Sequence, residues 1–353
     1  MRIACPNCNK EYKIQDEKLP VGKKIAVKCP ACKNRIIIDL RSKSDQKKSP
    51  QASNPDEKQN TAVSFNKKSL SGMTLKYGIL RTLGDLPVMP QIVQKAQEIL
   101  ANPDSDLKEL SRLIEIEQAI ATRVLKLANS TYYGMSGKVA SVQHASVLLG
   151  YKTLGELITL AGISGLLGRS LKGYNLNSEE LWRHSIAVAI GSRIIASRKD
   201  PEFGNEAFFA GLVHDVGKLV LDQHVYQRKD DFEMVMGDGQ QTFLNAEKKI
   251  LGFDHSEIAF ELCQKWQIPS NQRVAIRFHH YPSKSKGHEL AYILHMADCI
   301  AMMNGYGTGN DSMMYEMEEG TLEFLCFQDK DVNAIRSQVL ESVEKMLEKM
   351  PAA

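Results

Sequence analysis

From about residue 75 onward the apolar residues recur at three- and four-residue spacing, and strand-like alternation is nearly absent. That period belongs to amphipathic helices and restricts this part of the chain to an all-α body of many short helices. After Pro87 and Pro90, Ile92, Val93, Ala96, Ile99 and Leu100 mark the core face of one helix. Asp106 with Glu109 reads as a capping pair for a second, whose inward face is Leu107, Leu110, Leu113 and Ile114. Ile120, Val124, Leu125 and Leu127 mark a third. Val142, Ala145, Val147, Leu148 and Leu149 mark a fourth, ended by Gly150, and Leu154, Leu157, Ile158 and Leu160 a fifth. A terminal amphipathic helix spans 330–349, with Val332, Ile335, Val339, Val343 and Leu347 on one side. Docking of that face on the core is the expectation, and a homodimer contact is the alternative.

The first forty residues follow different rules. Cys5-Pro6-Asn7-Cys8 and Cys29-Pro30-Ala31-Cys32 are two CxxC turns separated by twenty residues. Each supplies two thiolates, and four thiolates close a tetrahedral zinc shell that supports a fold and leaves no open position for chemistry. Between them Tyr12-Lys13-Ile14, the turn Pro20-Val21-Gly22-Lys23-Lys24 and Ile25-Ala26-Val27-Lys28 read as strand, turn, strand, and Arg35-Ile36-Ile37-Ile38 as a third strand. Residues 41–68 are rich in Ser, Lys, Gln, Asn and Pro and nearly free of large apolar residues, so they read as a flexible tether. The expected organisation is a small β zinc ribbon at 1–40, a linker at 41–68 and a helical body at 69–353, its core at about 75–305, with a C-terminal helical extension.

A chain of 353 residues, 43% hydrophobic, is long enough to bury a core without disulfide staples. It contains no run of 18 apolar residues, and its start, Met1-Arg2-Ile3-Ala4-Cys5, lacks the apolar stretch of a secretory signal. A cytoplasmic protein without a membrane partner is therefore expected. Its seven cysteines read as thiols or metal ligands, with Cys263, Cys299 and Cys326 remaining ordinary thiols. The net charge of +3 is unevenly spread. Residues 1–68 hold 16 Lys and Arg against 7 Asp and Glu, a net of +9, and the remainder 29 against 35, a net of −6. A basic segment of this kind serves solubility or meets an anionic partner such as nucleic acid.

The histidines lie within apolar helix sequence beside acidic residues. Leu181-Trp182-Arg183-His184 opens one helix, and Ala207 to Leu219, containing His214-Asp215, forms another. Gly252-Phe253-Asp254-His255 starts a third, Ile276 to His280 ends a fourth, and Leu294 to Asp298 sits in a fifth. Imidazole and carboxylate together suit divalent transition metals. The candidates are His184, His255, His279, His280 and Asp298 with the doublet, and Glu180, one turn before His184. The alternative is a buried hydrogen-bond network linking helices. Residues 303–320, rich in Gly and Met, carry no phosphate-loop pattern and read as loop packing, with a partner groove as the other option.

His184, His214-Asp215 and Asp298 follow the H…HD…D order of the HD phosphohydrolase superfamily, and GLVHDVGKLVL resembles its central helix. LPVMPQIVQKAQEIL, DLKELSRLIEIEQAIATRVLKLANSTYYG and SVQHASVLLGYKTLGELI resemble the N-terminal half of an HDOD domain, the HD-related output domain of bacterial signalling proteins. LGFDHSEIAFELCQKWQIPSNQRVAIRFHH and LAYILHMADCIA resemble its C-terminal half. CPNCNKEYKI…LPVGKKIAVKCPACK is similar to zinc-ribbon segments at the N-termini of some bacterial regulatory proteins.

The resemblance implies a regulatory or scaffold protein that acts by contacts with other signalling proteins and is non-catalytic. It also implies one alternative, a metal-dependent phosphohydrolase of a nucleotide or cyclic dinucleotide, and the basic charge of the first 68 residues adds another, a nucleic-acid regulator working through the ribbon. Carried over from the related HD-GYP phosphodiesterases, His184, His214, Asp215, His255, His279, His280 and Asp298 match metal ligands. Glu180 matches an added acidic ligand, and Lys218 a phosphate-contacting lysine. After His280 the sequence reads Tyr281-Pro282-Ser283-Lys284, without the glycine-rich recognition segment of those enzymes.

The cysteine pattern generates the first test. The purified chain should carry one zinc that Cys29→Ser with Cys32→Ser removes and Cys263→Ser leaves in place, measured by elemental analysis.

Overall fold

The computed structural model describes residues 2–4, 10–13, 24–28, 35–39, 72–81, 89–102, 104–134, 138–237, 241–307, 309 and 316–348. The chain divides into two compact units, Met1–Lys67 and Lys68–Ala353. In the first, β1 (Arg2–Ala4) pairs antiparallel with β2 (Glu11–Lys13), Ile3 opposite Tyr12. β3 (Lys24–Lys28) pairs antiparallel with β4 (Arg35–Asp39), Ala26 opposite Ile37. The pairing differs from the hairpin read between Tyr12-Ile14 and Ile25-Lys28, and β1 is an added strand. Each pair is joined by six residues, against ten between β2 and β3, and the shorter closure costs less chain entropy. The expectations for Cys5, Cys8, Cys29 and Cys32 and for the tether 41–68 fall outside the described residues.

The second unit is helical, and its only strand-like pairing among the described residues is the Leu171–Leu176 bridge. Its first helices are α1 (Gly72–Arg81), α2 (Gln91–Ala101), α3 (Leu107–Ile116), α4 (Gln118–Ala128) and α5 (Val142–Leu167). Then come α6 (Glu180–Ser197), α7 (Gly204–Val213), α8 (Gly217–Tyr226), α9 (Lys229–Met236) and α10 (Phe243–Leu251). The last are α11 (His255–Lys265), α12 (Ser270–Phe278), α13 (Glu289–Met303), α14 (Thr321–Leu325) and α15 (Asp329–Leu347).

α2, α3 and α4 pack on α5 as one layer. The Asp106 side chain caps α3 by accepting from the backbone N–H of Lys108 and Glu109. Among the described residues, α5 alone is long and apolar enough to cross a membrane by length and composition. It is broken at Gly150, whose φ of +76° a residue with a Cβ rarely adopts, and Leu154, Leu157, Ile158 and Leu160 beyond the break are fully buried. Before the break Val142 and Ala145 face inward, while Val147 and Leu148 point outward.

The remaining helices surround α6. Its run from His184 to Ser192 is buried on every side, as expected of a helix enclosed by neighbours. α7, α13 and α15 pack directly on it. α15 docks on the core through Ile335, Val339 and Val343, and Gln328 with Asp331 forms a capping box at its start. Cys263 and Cys299 are buried free thiols and Cys326 an exposed one.

The segment from Ala207 to Leu219, read as one helix, is two. Between α7 and α8 the backbone tightens into three-residue hydrogen bonds, Val216 N–H to Val213 O and Lys218 N–H to Asp215 O. The break has a steric reason. α8 starts against the first turn of α11, so close that a Cβ on Gly217 would lie 1.9 Å from the His255 carbonyl oxygen.

Gly217→Ala should therefore destabilise the chain by about 1–3 kcal/mol, because neither backbone can yield without repacking. Gly165→Ala, on an exposed turn of α5 with nothing within 4 Å, should instead stabilise it by about 0.5–1 kcal/mol. Denaturant unfolding of the two variants checks the opposite signs.

Candidate metal centre

Five helix termini or interiors deliver the cluster. His184 projects from the second turn of α6, His214 and Asp215 from the turn between α7 and α8, and Asp298 from the middle of α13. Gly252, at φ +88°, ends α10, and Asp254 then caps α11 through the Glu257 N–H, which sets His255 as its first residue. His279 and His280 directly follow α12. Six of these seven residues are less than 5% exposed, and His280 is partly exposed.

The structure brings together all seven histidine and aspartate candidates. Their donor atoms form three overlapping groups within 4.8 Å: Asp215, His255, His279 and His280; His184, His214 and Asp215; and His214, His279 and Asp298. Asp215 joins two of them through different oxygens. Its Oδ1 lies 3.2 Å from His255 Nε2 and 3.8 Å from His279 Nε2, and its Oδ2 lies 3.5 Å from His214 Nε2 and 3.7 Å from His184 Nε2. His184 Nε2 is also 3.2 Å from Asp298 Oδ1.

The imidazoles are held by their outer nitrogens. His184 Nδ1 donates to the Tyr306 carbonyl at 2.7 Å, His214 Nδ1 to Gly211 at 2.8 Å and His279 Nδ1 to Ile276 at 2.7 Å. Because a carbonyl only accepts, each Nδ1 carries a proton, and Nε2 is the nitrogen turned inward, the one a metal ligand would offer. His255 Nδ1 donates to the buried Glu247 carboxylate at 2.8 Å.

The inward nitrogens then crowd one another. His184 Nε2 and His214 Nε2 are 3.2 Å apart, and His255 Nε2 and His280 Nε2 are 2.8 Å apart. Each contact needs a proton or a cation between two lone pairs. His279 Nε2 and Asp215 Oδ1 are buried with no aligned hydrogen-bond partner. Buried polar atoms of native proteins are rarely left so, and imidazole nitrogen with carboxylate oxygen is a donor set suited to a divalent cation.

The electrostatics divide the ring. Burial lowers His214, burial with the neighbouring His214 lowers His279 to about 3, and burial with His279 lowers His280 far below the usual range. These three present neutral imidazoles. Burial also acts against protonated His255, yet Glu247 and Asp215 outweigh it and raise the group to about 10. His184 is raised in the same way by Asp298 against its burial. For Asp215 the burial penalty is overcome by Lys218 and His214, which hold the carboxyl well below the usual range. Asp298 is held low against burial by the hydrogen bond from His184.

Lys218 is buried with Nζ 2.8 Å from Asp215 Oδ2, so its observed partner is a cluster carboxylate. Glu180 stands outside the cluster, where it accepts from the Asn177 N–H at the start of α6. The acidic residue at the centre is instead Glu247, fully buried on α10, where Oε2 accepts from His255 N–H and Nδ1 and Oε1 accepts from the Tyr174 hydroxyl. Nothing in the sequence marks it, since Glu247-Lys248-Lys249 reads as the polar face of an amphipathic helix. His295 is held by the His279 carbonyl and accepts from the Glu318 N–H, and it joins none of the three groups.

Residues 86–282 match the family model of the HDOD domain, and residues 1–37 match that of a zinc-ribbon domain. An uncharacterized protein of Treponema pallidum (strain Nichols) is 26% identical over 216 residues, 58% of this chain, and the chain spans 40% of that relative's length. An HDOD domain protein of unknown function from Geobacter sulfurreducens superposes with a TM-score of 0.68 at 24% identity, over 79% of this chain and 98% of its own. A candidate phosphohydrolase from Shewanella amazonensis SB2B superposes at 0.62 and 23%, over 77% and 98%. A candidate signal transduction protein from Marinobacter aquaeolei VT8 superposes at 0.63 and 20%, over 78% and 64%. At these identities the likeness is one of fold.

Glu247→Gln keeps the shape of the side chain and removes the charge that raises His255. A His raised in the folded state adds stability below its unfolded value of 6.5, and that contribution is lost as pH rises through about 10. In chelator, Glu247→Gln should therefore destabilise the chain by about 1–3 kcal/mol near pH 6 and by much less near pH 10. Thermal unfolding at the two pH values checks the sign.

Proposed function

Because the chain belongs to the HDOD family, a signal-transduction domain of the HD superfamily, we propose that its histidine–aspartate cluster is a divalent-metal centre. The activity proposed for it is hydrolysis of a phosphoester in a nucleotide or cyclic dinucleotide. The observation that carries this reading is the inward convergence of imidazole Nε2 atoms on a two-faced carboxylate, with His279 Nε2 and Asp215 Oδ1 lacking an aligned hydrogen bond. The phosphohydrolase description of the Shewanella relative agrees with it.

His184, His214, His255, His279, His280, Asp215 and Asp298 would hold the metal, with each oxygen of Asp215 facing a different set of imidazoles. A bound divalent cation supplies Lewis acidity toward phosphate oxygens and makes water a competent nucleophile near neutral pH. The protein's own part is positional. The Tyr306, Gly211 and Ile276 carbonyls fix three imidazoles, Glu247 fixes a fourth, and Lys218 offsets the charge of Asp215. His280, partly exposed, is the edge at which solvent and a phosphate would reach the centre.

A second reading, a metal-holding regulatory scaffold without turnover, is favoured by the enclosure. Six of the seven side chains are buried, and none of the seven lines any of the three main cavities of the described residues. In either reading a zinc held by Cys5, Cys8, Cys29 and Cys32 organises the N-terminal segment, whose basic charge suits an acidic protein or nucleic acid. Location in the cytoplasm and signalling-protein partners belong to the same proposal.

Elemental analysis of the Cys29→Ser, Cys32→Ser chain isolates the second metal. We expect at least one divalent ion per chain, lost in Asp215→Asn and His214→Ala. Turnover of a nucleotide or cyclic dinucleotide panel that disappears with Asp215→Asn supports the hydrolase, and metal without turnover supports the scaffold. A metal-free wild type, with the same variants affecting only stability, would sink both.

A further inference from the structure

A separate cavity of about 550 Å³ opens within the helical unit, between the layer built on α5, the helices α7 and α12, and the turn Trp266–Pro269 that joins α11 to α12. Its size is that of a small-molecule site. Phe208, Phe209 and Trp266 supply aromatic wall, and Glu156 and Gln272 contribute polar groups although each residue is more than nine-tenths buried. None of the seven residues of the candidate metal centre lines it.

Both polar groups have unused acceptor capacity. Glu156 accepts from Arg193 Nη1 through Oε2, and Oε1 takes no part in that pair. Gln272 Oε1 is buried without a donor, while its Nε2 points to the Glu206 carbonyl. A buried acceptor without a donor is costly, so an occupant that brings N–H groups is favoured over one that brings only acceptors. The charge of the lining points the same way. Beside the Arg193-paired Glu156, Glu98 and Glu206 face it against Lys152, and the aromatic faces also attract a cation.

We propose that this cavity binds a small organic cation with an apolar or aromatic body and one or more N–H donors, of the arylalkylamine or arylamidinium class. Its ammonium or amidinium group donates to Glu156 Oε1 and Gln272 Oε1, and its body packs on Phe208 and Trp266. The site touches helices that lead to the metal centre: Phe208 and Gln272 precede His214 and His279 by six and seven residues, about 9–10 Å along α7 and α12. The proposal does not depend on metal or turnover.

The test uses the full chain and three probes of similar size: 2-phenylethylamine, the neutral 2-phenylethanol and the anionic phenylacetate. Trp266 is one of two tryptophans and lines the cavity, so its fluorescence reports occupancy, with calorimetry as the second readout. We expect saturable binding of the amine at least about tenfold tighter than the alcohol, and none of phenylacetate. Binding should persist in chelator, which keeps this outcome separate from that of the metal centre. Glu156→Gln should weaken the amine about tenfold or more. Because that change also disturbs the pair with Arg193, Gln272→Leu serves as the second variant, with folding of both checked by circular dichroism. Equal binding of amine and alcohol, loss of amine binding in chelator, undiminished binding in a folded Gln272→Leu chain, or no saturable amine binding up to about 10 mM would each overturn the proposal.

Discussion

The carboxylate of Asp215 sits inside the bundle, essentially without solvent, and several helices are arranged around that one buried charge. Removing a carboxylate from water costs several kcal/mol unless partners are waiting for it. Lys218, three residues on, answers Oδ2 and the adjacent His214 lies beside it, while His184, His255 and His279 approach from separate elements. The ion pair with Lys218 is local and could form in an isolated helical turn. The contacts from His184, His255 and His279 are not local: they exist only when α6, α11 and the end of α12 converge on the turn between α7 and α8. The charge therefore links the local fold of one turn to the global packing of the unit.

That convergence depends on where helices stop. A regular helix through Ala207–Leu219 would turn His214 and Asp215 about 100° apart along one continuous rod. The tightened turn before Gly217 breaks the rod, and the absent side chain at Gly217 lets α8 lie against the His255 carbonyl. Gly252 and Asp254 start α11 at His255, and the end of α12 releases His279 and His280 beside it. Five imidazoles and two carboxylates are thus presented largely from helix ends, where direction is set by caps and breaks. With inward nitrogens only 2.8 and 3.2 Å apart, each of the two close imidazole pairs must hold a proton or a cation between its rings.

The α2–α5 layer gives the unit a second polar interior. The Glu156–Arg193 pair lies between the two helical groups, where burial raises the glutamate to about 8 and lowers the arginine to about 10. Their direct contact opposes that penalty and ties α5 to α6. The cavity beside Glu156 is walled by α7 and α12, the same helices that end at the histidines. The helical unit thus holds a charged cavity and a charged cluster at different points along shared helices.

By itself the sequence determined the all-α character of the body, the helices around Ile92, Leu110 and Val124, and the seven residues that share the cluster. Each leaves a local mark, a period of 3.6 or a His and Asp inside apolar sequence. Family likeness ordered those residues before any coordinates did. Only the tertiary structure decided that Glu247 supports His255 while Glu180 stays at the start of its helix, because a polar residue on an amphipathic helix looks the same whether its face meets water or a buried imidazole. It alone decided that Val147 and Leu148 face outward, since the positive φ of Gly150 turns one half of α5 against the other. The pairing of β1 with β2 and β3 with β4 departs from the strand–turn–strand reading, because strand period does not name a partner and the shorter loops favour these pairs.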